Sequence, residues 1–140
     1  IPIFVDPKGK NWSKYSGATY ITPNINEIEG VCDSRLKSNK DFEIAGKNIL
    51  EKFNIENCLI TRGKDGMVMI SNSDIYYLSS KVKEVFDVSG AGDTVIACLA
   101  AAILSGVDKQ NSVKFSNKAA GIVVGHIGTT AITKNELLEG

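Results

Sequence analysis

The chain has no surplus of charge: 16 Lys and Arg balance 16 Asp and Glu over 140 residues. Such a surface gives no electrostatic hold on nucleic acid or on an anionic membrane, and neither partner is expected. Lysines are scattered, and no block of one sign forms a tail. Only three cysteines occur, Cys32, Cys58 and Cys98, far apart and in no CxxC pair. That excludes a zinc or disulfide framework and agrees with a reducing cytoplasm. The one histidine, His126, has no ligand-type neighbours in sequence. It reads as an exposed loop residue, not a metal ligand or triad member. No apolar run is long enough to span a bilayer, and no signal peptide is expected. Asn11-Trp12-Ser13 matches a glycosylation sequon and reads as a chance match.

What is present suffices for one domain with a real core, residues 1–140. The chain opens inside an apolar run, Ile1-Pro2-Ile3-Phe4-Val5, with no Met. A fragment of a longer protein is therefore expected.

Ile1–Val5 reads as a strand ended by the turn Asp6-Pro7-Lys8-Gly9, and Ala18–Thr22 as a second, stopped by Pro23. Asp41–Phe53 has helical spacing at Phe42, Ile44, Ala45, Ile49, Leu50 and Phe53, with an acidic start. Cys58–Thr61 lacks polar alternation, the mark of a strand buried on both faces. Met67–Ile70 and Ile75–Leu78 read as a hairpin pair, and Val82–Phe86 as a further strand. From Ala91 to Ser105 the pattern is apolar nearly all round, so a buried helix is predicted, with Gly106 as its stop. A second helix is predicted from about Ser112, as N-cap, to about Val124. A third begins near Thr133, where Thr133 and Glu136 fit a capping box. Alternating strands and helices imply an α/β layered domain with a mainly parallel sheet.

The segment Asp87-Val88-Ser89-Gly90-Ala91-Gly92-Asp93-Thr94 joins a strand to that first long helix. Gly90 and Gly92 remove Cβ atoms where backbone N–H groups can face a ligand. The helix start offers unpaired N–H groups and partial positive charge to a phosphate or oxyanion. Spacing alone is equally satisfied by a tight turn followed by a favourable first-turn acid. A Rossmann loop fails, because Val95 stands where the third glycine of GxGxxG belongs, and no Gly-Lys-Ser/Thr makes a P-loop.

Taken together, the motifs resemble the C-terminal half of a ribokinase-like (pfkB) sugar kinase. "DVSGAGDT" is similar to that family's Asp-Thr-Thr-Gly-Ala-Gly-Asp signature, with Val88 and Ser89 as departures. "TPNINE" resembles its Asn-x-x-Glu motif at Asn24 and Glu27, and "TRGKDG" its Thr-x-Gly-x-x-Gly strand end at Thr61, Gly63 and Gly66. "NKAAGIVVGHIGT" resembles the adenine-side helix and loop at Asn117, Gly121, Gly128 and Thr129. Within the family, "VDPKG", "YITPN", "TRGKDGM" and "DVSGAGDT" look most like the heptose-7-phosphate kinase domains of bifunctional kinase/ADP-heptose synthases. Lys118 and His126 depart from that pattern, and the HxGH run of a nucleotidyltransferase does not occur.

The resemblance implies a ribokinase-like layered αβα domain without its N-terminal part. It implies ATP-dependent phosphorylation of the anomeric hydroxyl of a heptose 7-phosphate, in ADP-heptose and lipopolysaccharide core synthesis. Asp93 would be the base, with Gly90, Ala91 and Gly92 as the anion hole. Asn24 and Glu27 would act through Mg²⁺ and its waters, and Thr61 and Arg62 would face the phosphates. Asp87 would shape the loop or a monovalent-cation site, with K⁺ as the candidate ion. The implied partners are a sugar phosphate and ATP, with a homodimer in the full-length parent. Local alternatives stay open: Asn24 as a turn residue after Pro23, Arg62 in a surface ion pair, Lys8 as a phosphate-neutralising or merely solvated lysine. Gly121 serves either nucleotide approach or close helix packing. A kinase of another sugar or nucleoside, or an inactive nucleotide-binding fragment, are the alternative functions.

Overall fold

A computed structural model describes residues 1–80, 90–124 and 132–139. They gather into two compact units, Ile1–Arg62 with Val68–Tyr77, and Gly63–Met67 with Leu78–Gly140. The expected strand Val82–Phe86 lies outside the described residues.

The first unit holds the sheet, apart from Met67 and Leu78. Its strands are β1 (Phe4–Val5), β2 (Tyr20–Ile21), β3 (Asn57–Thr61), β4 (Met67–Ser71) and β5 (Ile75–Leu78), adjacent in that order. β1, β2 and β3 are parallel, with Phe4 opposite Tyr20 and Ile21 opposite Cys58. The paired Phe4 and Tyr20 rings stack with centroids 5.1 Å apart. The connections from β3 to β4 and β4 to β5 are too short for a crossover, so these neighbours run antiparallel. The sheet is thus open and mixed, a parallel half continued by a meander.

β1 is shorter than the expected Ile1–Val5. Pro2 has no N–H to give a ladder, and the Ile3 N–H goes to Thr19 Oγ1 at 2.9 Å. Ladder bonds extend beyond β2, from Thr19 N to Ile3 O and Thr22 N to Val5 O, both 2.9 Å. β3 is buried through Ile60, as its lack of alternation predicts.

α1 (Ile25–Cys32) and α2 (Asn39–Phe53) lie in the connection between β2 and β3. The sequence reading has no counterpart to α1. Its start is a capping box: Asn24 Oδ1 accepts from Glu27 N and Glu27 Oε2 from Asn24 N, each at 2.9 Å. α2 begins earlier than Asp41, because Ser38 is its cap and Asp41 closes that box. The Lys37 and Ser38 N–H groups hold the Asp41 carboxyl below the usual carboxylate range. Phe42, Ala45, Ile49, Leu50 and Phe53 form the buried stripe, whereas Ile44 is 52% exposed because it falls off that face. They pack with Trp12, Ile21, Ile28, Cys58, Ile60, Val68 and Ile70 as one core.

In the second unit α3 (Ala91–Leu104) packs against α4 (Lys109–Val124), and α5 (Lys134–Glu139) follows. The expected all-round burial of α3 is corrected. Only the stripe Val95, Leu99 and Ala102 is buried, while Ala97 and Ala101 are exposed and Leu104 is 64% exposed. Alanine exposes too little apolar surface for a one-sided helix to be disfavoured. Gly106 stops α3 as predicted, in a Schellman turn: Gly106 N bonds Ile103 O and Val107 N bonds Ala102 O. The expected N-cap of α4, Ser112, is wrong by four residues. Ser112 is fully buried with its hydroxyl on Val107 O, and Asp108 caps instead, accepting from Asn111 N at 3.0 Å. α5 has the predicted box, Thr133 N to Glu136 Oε2 at 2.8 Å and Glu136 N to Thr133 Oγ1 at 3.3 Å.

Candidate active site

Because β1, β2 and β3 are parallel, the residues after them gather at one edge of the first unit. This is the edge where open α/β sheets bind ligands. Asp6, Asn24 and Thr61 follow or end these strands, and Asn24 and Thr61 form a parallel bridge with Thr61 N on Pro23 O at 2.9 Å. Glu27 is brought to Asn24 by the capping box. Its other oxygen, Oε1, accepts from Lys8 Nζ at 2.7 Å, and the same ammonium lies 3.1 Å from Asp6 Oδ2. The Glu27 hydrogen bond, against partial burial and with help from Asp6, holds the Lys8 pKa above its ordinary value.

Lys8 is therefore not a freely solvated turn lysine. Its backbone N–H donates to Tyr15 Oη at 3.1 Å, and Trp12 Nε1 donates to Gly9 O at 2.9 Å. Trp12 is fully buried, so the connection after β1 is pinned to the core on both sides of the lysine. Sequence reasoning missed Asp6, Trp12 and Tyr15. The signal was the aromatics three and six residues beyond Gly9, on a segment read only as a turn.

Arg62 is placed differently from the phosphate-facing expectation. Its guanidinium lies 5.6 Å from the Phe42 ring centroid and 5.4 Å from that of Tyr77, and Nη1 donates to Asn39 Oδ1 at 3.2 Å. Tyr77 Oη in turn donates to Glu43 Oε1 at 2.7 Å. Burial first, and that carboxylate second, push the Tyr77 phenol up to about 12. Arg62 thus joins β3, α2 and β5 across their surface.

In the second unit Gly90 caps α3 at φ +79°, a left-handed conformation that favours glycine, and Thr94 N returns to Gly90 O at 2.9 Å. Ala91, Gly92 and Asp93 make the first turn, with Gly92 and Asp93 exposed. Gly66 has a purely architectural reason: at φ +83°, an added Cβ would run into Leu78 O and come 2.8 Å from Ser80 N. Gly63 is also at positive φ (+58°), and among the described residues nothing lies within 4 Å of where its Cβ would be. Asn117 Nδ2 donates to Ser79 O at 3.0 Å, tying α4 to the segment after β5. Gly121 is half-buried in the last turn of α4. Asp87, Gly128, Thr129 and His126 lie outside the described residues.

The sequence profile of the pfkB family carbohydrate kinases matches residues 1–136. The chain belongs to this family. Among curated relatives, the bifunctional protein HldE of Aliivibrio salmonicida is 41% identical over 99% of this chain. That of Pseudomonas entomophila is 45% identical over 98%. In each case the chain spans 29% of the relative's length. Phosphofructokinase-2 of Escherichia coli, in a complex with potassium, superposes with a TM-score of 0.87 at 16% identity, over 99% of this chain and 46% of that one. Arabidopsis thaliana ribokinase, complexed with ribose and ATP, gives 0.87 at 20% identity, over 99% and 47%. The ribokinase-like fold of this pfkB-family chain is thereby established. Among the described residues no helix is long and apolar enough to cross a membrane, and no three His, Cys, Asp or Glu cluster to hold a metal.

Proposed function

We propose that this pfkB-family chain carries the nucleotide-handling and catalytic residues of an ATP-dependent kinase. Its acceptor is the anomeric hydroxyl of D-glycero-β-D-manno-heptose 7-phosphate. The likeness to HldE across 98–99% of the chain supports the sugar. The start of α3 carries the chemistry. Among the described residues a Cβ at Gly92 would meet nothing within 4 Å, so their packing does not require glycine there. Glycine inside a helix costs about 1 kcal/mol relative to alanine. Space for a group approaching the exposed N–H groups accounts for that choice.

In the reaction the anomeric oxygen forms a bond to the γ-phosphorus of ATP, the bond to the β,γ-bridging oxygen breaks, and ADP leaves. Asp93 accepts the hydroxyl proton, and the N–H groups of Gly90, Ala91 and Gly92 face the charge on the transferred phosphoryl. Glu27 and Asn24 fit Mg²⁺. Glu27 Oε1 already holds a cationic group at 2.7 Å, and a single recessed carboxylate beside an amide suits a metal that keeps several waters. Bound there, the metal would neutralise charge on the nucleotide phosphates.

Two results are expected. Calorimetry should show weak binding of ADP with Mg²⁺ to the 140-residue chain, and Gly92→Ala should lower that affinity while raising thermal stability, by up to about 1 kcal/mol. No heat and no thermal shift with millimolar ADP would count against nucleotide binding. Second, a kinase carrying this segment should turn over heptose 7-phosphate at least about tenfold more efficiently than ribose or fructose 6-phosphate, a selectivity of about 1.4 kcal/mol. Equal ADP release with all three would remove the heptose.

A further inference from the structure

We propose that Lys8 is a built-in counter-ion of Glu27 that competes with a divalent cation for the same carboxylate oxygen. The inference rests on the metal-side reading of Glu27 given above and adds a group that tunes it.

Three observations converge on Lys8. Its ammonium touches both nearby carboxylates, Glu27 Oε1 at 2.7 Å and Asp6 Oδ2 at 3.1 Å. Exposure is asymmetric: the Lys8 side chain is 66% exposed, Glu27 only 16% and Asp6 27%. The carboxylates thus form a recessed floor and the ammonium comes down on it from the solvent side, the direction from which a hydrated ion would arrive. Finally, the backbone of the lysine is fixed by the Tyr15 hydroxyl and, one residue on, by the Trp12 indole. A tethered ammonium meets its carboxylate at high effective concentration, so the pairing persists without a ligand.

Glu27 Oε2 is committed to the N-cap amide of α1, which leaves Oε1 as the oxygen that a metal or its water would take. The ammonium already takes this oxygen at 2.7 Å, and a divalent ion brought to it meets that positive charge at close range, so the two oppose each other there. Ion pairs of this exposed kind are weak, so the ammonium can be displaced and its effect on ion binding should be severalfold, not larger. Once displaced, the lysine is positioned to meet an anionic group brought in with the metal.

The test is a Mg²⁺ titration of the ¹⁵N-labelled chain at constant ionic strength, following the Ile25 to Ile28 amides, with and without ADP. Lys8→Met should lower the half-saturating Mg²⁺ concentration by roughly two- to fivefold. Lys8→Arg, which keeps the charge, should stay near the parent value. Glu27→Gln should abolish the response. If Glu27→Gln abolishes it but Lys8→Met leaves it unchanged or weakens binding, competition by Lys8 is wrong while the Glu27 reading stands. Persistence of the response in Glu27→Gln would overturn both, and the two failures are thereby told apart. Circular dichroism melts of each variant show whether the fold is kept.

Discussion

Asp93→Asn should reduce turnover by roughly 10² or more, the contribution expected of a positioned proton acceptor, while nucleotide affinity stays within about twofold. The substitution preserves shape and removes only the ability to take a proton. Asp93 occupies the first turn of α3, exposed, three residues after the positive-φ cap at Gly90. That position also suits an acid whose sole task is to complement the helix start, worth typically 0.3–1 kcal/mol in stability. The two roles separate cleanly in measurement. A helix-start acid predicts a small fall in melting temperature and intact kcat; a base predicts lost kcat with KM for nucleotide little changed. The assay is coupled ADP release by a kinase carrying this segment. Retention of most of the turnover would reduce Asp93 to its local helical role.

Features governed by local pattern were legible in the sequence. Cys58–Thr61 reads as a doubly buried strand because nothing polar interrupts it, and the structure buries Asn57 through Ile60. The hairpin at Met67–Ile70 and Ile75–Leu78 appears with its boundaries nearly unchanged. Capping chemistry is legible at Thr133 and ambiguous at Ser112. There a small polar residue fits equally well as a cap or inside a helix–helix contact, where Ser116 Oγ also returns to Ser112 O at 2.9 Å. α1 is hidden in the sequence for the opposite reason. Asn24-x-x-Glu27 has the spacing of a ligand-binding motif, and the same two side chains close a capping box that starts an eight-residue helix.

Side-chain partnerships across long stretches of sequence were not legible. Lys8 and Glu27 are 19 residues apart, and Arg62 and Asn39 are 23 apart. Neither pairing follows from spacing, because each depends on which strand lies beside which. Arg62 shows the consequence. From its motif it belongs with the phosphates, yet its guanidinium lies against the rings of Phe42 and Tyr77. The motif carries no information on Phe42, Tyr77 or Asn39, which reach Arg62 only through the fold.

Trp12→Ala should produce the largest loss of stability, about 3–5 kcal/mol for the first unit, as for other large-to-small changes at fully buried aromatics. Trp12 has no exposed surface and packs beside Phe53, with ring centroids 6.3 Å apart, in the core that also holds Ala18 and Ile21. Most of the loss is apolar, because Gly9, whose carbonyl accepts the indole N–H, is exposed and can bond water instead. Trp12→Phe keeps much of the filling and gives up the hydrogen bond, so roughly 1–2 kcal/mol is expected. Trp12 is the only tryptophan, so denaturation must be followed by far-ultraviolet circular dichroism, not by fluorescence. A midpoint shift worth less than about 1 kcal/mol for the alanine variant would show that the core closes over the gap. The site should respond as well. Without the indole the connection that carries Lys8 is pinned on one side only, by Tyr15, so its ammonium should leave Glu27 and Asp6 more often. At temperatures where Trp12→Ala is still folded, its Mg²⁺ response should therefore move in the direction of Lys8→Met, linking a buried ring in the core to the charge balance at the ends of the parallel strands.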